Sequence, residues 1–273
     1  MAIGSIENDE ETAQAELRFS RVLVHVDGSD AGFEACRQAA RLAEPEATID
    51  AVAVVELSDA VWAAHNAPAV VEQLRREATV ALERAAQLIG DRVERRFVNG
   101  PETAALLQEA ERTATTLIAV GWHGRRRAEE ILIGGVVGEL LHAPTCSILV
   151  ARPSDDPGAF PRSIAVGIDG SAAAEHALEA AESLAARLGV PLRVIAAVHG
   201  GAVDLERVRR RCPAAEEIDR QPLEALTDAA RGADLLVVGS RGLTGVRALG
   251  SVSERIAHQA ACSVLVARPR PAG

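Results

Sequence analysis

Two Asp-Gly-Ser triplets carry the first residue types that suggest chemistry: Asp27, Gly28 and Ser29, and again Asp169, Gly170 and Ser171. Each follows an apolar, β-branched run. A carboxylate at the end of such a run can accept a hydrogen bond from a base amino group or a ribose hydroxyl. The same carboxylate, or the serine behind it, can instead cap a following helix by satisfying its free amides. Capping is the reading for Ser29 and Ser171. For Asp27 and Asp169 both roles stand.

A second pair of candidates is glycine-rich. Gly121-Trp-His-Gly124 is followed after nine residues by Gly134 and Gly135, and Gly239-Ser-Arg-Gly242 after seven by Gly250, Ser251, Val252 and Ser253. Glycine lets a backbone approach a phosphate closely, and a helix behind it presents unpaired amides and a positive dipole end. Glycines here can also simply end a strand and open a turn. Recurrence of the loop after the same strand favours phosphate cradling. Two further positions, Val54 and Val198, end the second strand of each repeat. Their backbone groups can read a base edge, although alone they signal only strand core.

The elements that must position these residues are written twice. Cys146-Ser-Ile-Leu-Val-Ala-Arg-Pro153 returns as Cys262-Ser-Val-Leu-Val-Ala-Arg-Pro269, and both triplets and both glycine loops keep the same order. Three ordered matches define two copies of one domain. The expected divisions are an acidic, disordered tail (1–19), a first domain (20–153), a linker (154–161) and a second domain (162–270). In the first copy strands are expected at 22–26, 48–55, 93–98, 116–120 and 146–151. Helices are expected at 30–43, 69–89, from Pro101 and at 136–142. The second copy repeats the strands at 164–168, 192–198, 216–220, 235–238 and 262–267. Its segment 199–215 is too short and Arg-rich for a long helix. The predicted fold is α/β: two tandem five-stranded parallel sheets with right-handed crossovers and helices on both faces. Ligands of such sheets sit at the carboxyl ends of the strands, where the strand order reverses.

Composition narrows the chemistry. Of 273 residues, 48% are apolar and 25% charged, as in ordinary globular chains. Tyr is absent and aromatics total 2%; Lys is also absent, so all 29 basic residues are Arg, a bias attributed to GC-rich coding. That excludes a Walker-type phosphate loop and Schiff-base chemistry. The net charge of −10 gives no attraction to nucleic acid or anionic membrane. No apolar run reaches the roughly 20 residues of a membrane span. The start lacks a basic region followed by an apolar stretch, so a cytoplasmic location is expected. Cys36, Cys146, Cys212 and Cys262 lack metal-finger spacing and read as reduced thiols. No His, Asp or Glu cluster has ligand spacing, so no metal site is expected. His25 shares a strand face with Asp27 but lacks a positioned nucleophile and reads as structural. His142 and His258 read as packing or helix-end residues. Trp122 either covers a ligand or fills surface.

The Asp-Gly-Ser triplet, the Gly-x-x-Gly loop and Gly-Ser-Val-Ser-Glu before a helix resemble the universal stress protein family, in a tandem form covering nearly the whole chain. The resemblance implies a Rossmann-related fold of the adenine-nucleotide-binding kind and a stress-response regulatory role rather than an enzyme. It implies ATP, with or without magnesium, as cofactor. Asp27 and Asp169 would meet the adenosine and the backbones of Val54 and Val198 the adenine. Gly121, Gly124, Gly134, Gly239, Gly242, Gly250, Ser251, Val252 and Ser253 would surround the phosphates. It also implies self-association, or pairing of the copies within the chain, through the fifth strands. The copies depart from the pattern differently. The first has Gly135 and Val137 where the second has Ser251 and Ser253. Its Arg125, Arg126 and Arg127 could serve phosphate, with a solvated basic turn the simpler reading. The second keeps the hydroxyls on a loop two residues shorter and is favoured as the nucleotide site. The alternative is an interaction module of the same family that binds no nucleotide.

Overall fold

The computed structural model describes residues 18–56, 67–123, 135–142, 146–199, 203–240 and 251–269. The first repeat runs β1 (Arg21–His25), α1 (Asp30–Leu42), β2 (Thr48–Val55), α2 (Ala67–Ile89), β3 (Val93–Asn99), α3 (Glu102–Arg112), β4 (Leu117–Gly121), α4 (Val136–His142) and β5 (Ser147–Ala151). The second runs β6 (Ile164–Gly167), α5 (Ala172–Leu188), β7 (Leu192–Ala197), α6 (Leu205–Arg211), β8 (Glu216–Ile218), α7 (Pro222–Ala230), β9 (Leu235–Gly239), α8 (Ser251–Gln259) and β10 (Ser263–Ala267).

Local rules account for the helix starts. The Ser29 hydroxyl accepts from the Gly32 amide and that of Ser171 from the Ala174 amide, so both serines are N-caps. Gly28 and Gly170 precede them at φ +78° and +79°, a left-handed turn that suits glycine. Central strands such as β4 and β5 are buried at every position, as parallel strands covered on both faces must be. Leu42, Leu82, Leu178 and Val208 of α1, α2, α5 and α6 pack on one face of the sheet. Leu106, Leu140, Leu226 and Ile256 of α3, α4, α7 and α8 pack on the other.

The strands form one ten-stranded sheet in the order β3-β2-β1-β4-β5-β10-β9-β6-β7-β8. Within each repeat the pairing is parallel. Strand β1 lies between β2 and β4, and β6 between β7 and β9, which makes each a switch point. The repeats meet at β5 and β10, which pair antiparallel with Leu149 opposite Leu265.

Two arginines tie this seam. Arg152 and Arg268, each 5% exposed, end the repeated Cys-Ser-x-Leu-Val-Ala-Arg segments. Arg152 donates to the carbonyls of Ala257 (2.5 Å) and Cys262 (3.2 Å) in the other repeat. Arg268 donates reciprocally to the carbonyls of Leu141 and Cys146. Ala257 and Leu141 lie in the last turns of α8 and α4, whose free carbonyls form the negative end of the helix dipole. Burial pushes the Arg152 guanidinium down to about 10, still far above neutrality. The Ser263 hydroxyl accepts from the Arg152 amide (2.9 Å), and that of Ser147 from the Arg268 amide (3.1 Å). Fully buried Gln38 of α1 donates to the Arg152 carbonyl at 2.7 Å. The repeated sequence therefore encodes a pseudo-symmetric joint.

Two strands end earlier than the sequence expectation, and the shortness expected of 199–215 is seen. Strand β1 ends at His25, although the Val26 amide still bonds the Val52 carbonyl at 2.8 Å. Strand β8 stops at Ile218, because the Arg220 amide turns back onto the Ile218 carbonyl at 2.8 Å. In agreement with the expectation of no long helix there, the segment 199–215 holds only the seven-residue α6, against 23 residues for α2.

Candidate functional site

In the first repeat a cleft of about 610 Å³ opens where β1 and β2 end and α2 passes over them. Val26, Ala53 and Phe33 form an apolar floor, with Asp27 and Val54 at the strand ends. Helix α2 contributes Leu74, Ala78 and Ala81, together with Arg76 and Arg84. The Arg84 guanidinium carbon lies 4.1 Å from the centre of the Phe33 ring, a cation–π contact. Arg76 faces Glu72 at 3.4 Å on the exposed side of the helix. The cleft joins an apolar slot to three carboxylates, Asp27, Glu56 and Glu77, and two cations, and its volume falls within the usual range of small-molecule pockets.

The Asp27 carboxylate is highly ordered by its partners. Its Oδ1 accepts from the Ser29 amide (3.0 Å) and hydroxyl (2.7 Å). Its Oδ2 lies 2.8 Å from Nε2 of His123. Burial acts to raise its pKa, but the hydrogen bonds from His123 and Ser29 outweigh that and hold it well below the usual carboxylate range. His123 lies within the Gly-Trp-His-Gly segment, but sequence reasoning considered only His25 as a partner for Asp27. In the structure His25 is buried and its Nε2 lies 2.8 Å from Glu102. Alternation along a strand could not pair His25 with Asp27, because β1 has already ended at His25. The available signal was a histidine in a loop leaving the same sheet edge.

Gly121 and Gly239 have a packing role. A Cβ on Gly121 would lie 2.5 Å from the Ala31 carbonyl oxygen and 2.6 Å from the Gly32 nitrogen. One on Gly239 would lie 2.5 Å from the Ala173 carbonyl carbon. Both glycines let the first turn of a helix, α1 or α5, press onto the end of a neighbouring strand. Gly124, Gly134, Gly242, Gly250, the Ser251 side chain and Arg125 to Arg127 lie outside the described residues.

The second repeat arranges the corresponding edge differently. The Asp169 carboxylate accepts from the Ser171 amide at 3.0 Å. The Asp204 amide, at the start of α6, donates to the Asp169 carbonyl at 3.0 Å. A Cβ on Gly170 would lie 2.9 Å from the Asp204 Cβ, so the short helix begins directly over the Asp-Gly-Ser turn. The Val198 amide is engaged by the Ile218 carbonyl at 2.9 Å. The Ser253 hydroxyl donates to the Gly239 carbonyl at 2.6 Å, so its proton ties α8 to the end of β9. Val252 packs half-buried against the core.

The remaining candidates lie near the seam. The Trp122 and His258 rings meet edge-on with centres 5.4 Å apart, and the Arg152 guanidinium carbon sits 4.7 Å from the Trp122 ring centre. Trp122 thus fills a contact between repeats. His142 Nε2 lies 3.4 Å from Glu254. Among the described residues no group of three or more His, Cys, Asp or Glu side chains could hold a metal. Among them, too, no helix is long and apolar enough to cross a membrane.

A parallel sheet with a switch point and a Gly turn after its first strand defines a Rossmann-related domain, present here twice in one sheet, with a cleft at the carboxyl edge of the first. The model of the universal stress protein family matches residues 18–152 and 195–268, well over half of the chain. A universal stress protein of Mycolicibacterium smegmatis is 30% identical over an alignment covering 91% of this chain and 97% of that one. The chain belongs to the universal stress protein family. The crystal structure of a universal stress protein from Archaeoglobus fulgidus superimposes with a TM-score of 0.75 at 21% identity, covering 93% of this chain and 98% of that one. A putative universal stress protein from Pseudomonas aeruginosa gives 0.63 at 16% identity, covering 93% and 95%. These two likenesses are of fold.

Proposed function

We propose that the protein is a nucleotide-responsive regulator that binds an adenine nucleotide, ATP, in the cleft of the first repeat. The observation that carries this reading is the 610 Å³ cleft that brings Asp27 and Val54 together at the switch point. Asp27 Oδ2 faces a ribose hydroxyl, the end of β2 faces the base, and Arg76 and Arg84 offer the phosphate contacts that a Lys-free chain must draw from Arg or backbone. Magnesium would accompany the triphosphate through its own oxygens.

Residue types alone favoured the second repeat for its serines. Its geometry supports that reading less: Ser253 is turned onto Gly239, and α6 begins over Asp169. We assign binding and switching rather than catalysis. The four free cysteines, three of them buried, suit a reducing cytoplasm. Self-association through the fifth strands would compete with the β5–β10 pairing, which leaves β3 and β8 as the outer edges of the sheet.

The test is to purify the protein without added nucleotide, denature it and chromatograph the supernatant. Released adenine nucleotide, or calorimetric binding of ATP, supports the reading. Absence of both at millimolar ATP overturns it.

A further inference from the structure

We propose that His123 is an internal ligand of Asp27, a side-chain latch that an incoming nucleoside must displace to enter the cleft of the first repeat. The inference rests on the reading of that cleft as a nucleotide site. It starts from the unequal surroundings of the two carboxylate oxygens. Oδ1 is enclosed by its own turn: it takes both Ser29 donors, and a Cβ on Gly32 would collide with it. Oδ2 is the oxygen left for a ligand, and His123 Nε2 sits on it at 2.8 Å. A ribose hydroxyl seeking Asp27 therefore meets a position already filled by the protein's own donor.

The root of the latch is fixed. Just before it in the chain, the Trp122 amide donates to the Ala151 carbonyl at 2.8 Å, and the Trp122 ring is held between Arg152 and His258. The His123 side chain is 56% exposed, against 23% for that of Asp27, so solvent reaches the imidazole while the carboxylate stays largely enclosed.

Displacement is sensitive to protonation. An imidazolium holds a carboxylate more strongly than a neutral imidazole does, and imidazole changes charge near physiological pH. Asp27 stays ionised throughout that range. Among the described residues, the other charged or titratable groups around it include Cys36 on α1, Glu56 at the end of β2, and Arg76, Glu77 and Arg84 on α2. Burial pushes the Cys36 thiol up to about 12. Among the described residues of this rim His123 supplies the imidazole, the side-chain type whose charge changes near neutrality, so the cleft closes as pH falls and opens as it rises.

The test uses adenosine, whose charge is constant across the range, titrated calorimetrically into the full chain and into H123A between about pH 5.5 and pH 8. A partly exposed ion pair predicts that wild-type affinity rises about two- to fivefold across the range. H123A should bind as tightly at the acid end as at the alkaline end. A second measurement needs no ligand: the His123 imidazole is titrated by NMR in wild type and D27N, and loss of the carboxylate should move its midpoint to lower pH. Adenosine binding with the same pH profile in wild type and H123A overturns the latch while the nucleotide reading stands. An unchanged midpoint in D27N also overturns the latch. Failure of every variant to bind adenosine or ATP overturns the nucleotide reading and the latch with it.

Discussion

The Arg152 guanidinium donates to the Ala257 carbonyl at 2.5 Å, joining the end of β5 in one repeat to the last turn of α8 in the other. R152M keeps an apolar stem and removes every donor, leaving the Ala257 and Cys262 carbonyls without their charged partner. Charge-assisted hydrogen bonds and buried polar groups of this kind predict a loss of roughly 2–4 kcal/mol. Urea unfolding of wild type and R152M measures it. A loss below about 0.5 kcal/mol, typical of an indifferent surface site, would contradict the joint.

The glycines that open the two loops should fail for a packing reason. G121A places a methyl against Ala31 and Gly32, and G239A against Ala173, with rigid backbone on the other side. Overpacking of this kind predicts a loss of about 1–3 kcal/mol for each, with or without nucleotide. Thermal melts of both variants in nucleotide-free buffer check this. An unchanged melting temperature would return these glycines to a purely ligand-binding role.

Acid stability carries the mark of Asp27. Its folded-state pKa is depressed, so its contribution is present above the unfolded value of about 4 and is lost as pH falls through the folded one. Wild type should therefore exceed D27N in stability near neutrality, and the gap should close below about pH 4. Paired urea titrations at descending pH measure the gap. A gap that stays constant would mean that the carboxylate charge contributes nothing.

Thiol reactivity should follow burial. Burial pushes Cys36 up to about 12 and Cys262 up to about 11, whereas Cys212 is half-exposed. Alkylation of the native protein near pH 8, read by mass spectrometry, should label Cys212 first and leave Cys36 and Cys262 protected until unfolding. Early labelling of Cys36 would contradict the packing of α1 against the sheet.

Much of the fold is legible in the residues. Apolar β-branched runs, helical stripes and the ordered repeat of Cys146-to-Pro153 at Cys262-to-Pro269 are local signals, and they place every strand to within a few residues. The serine caps are equally local. The contacts that shape the candidate site are not. That His123 reaches Asp27 depends on β4 lying beside β1, 95 residues away along the chain as the Arg21–Thr116 hydrogen bond shows. The packing role of Gly121 depends on where α1 crosses that strand. The inward turn of Ser253 depends on how α8 settles against β9, so a hydroxyl that looks available in the sequence is already bound. The repeated Ala-Arg-Pro reveals its purpose only once β5 and β10 lie antiparallel.

The central claim is that Asp27 anchors an adenine nucleotide in the first repeat. Calorimetric titration of ATP into wild type, D27A and D169A tests it most directly. The account predicts that D27A abolishes binding or weakens it at least tenfold, as loss of a charged hydrogen-bond acceptor does, and that D169A binds like wild type. Binding that survives D27A and is lost in D169A would place the nucleotide in the second repeat and contradict the account.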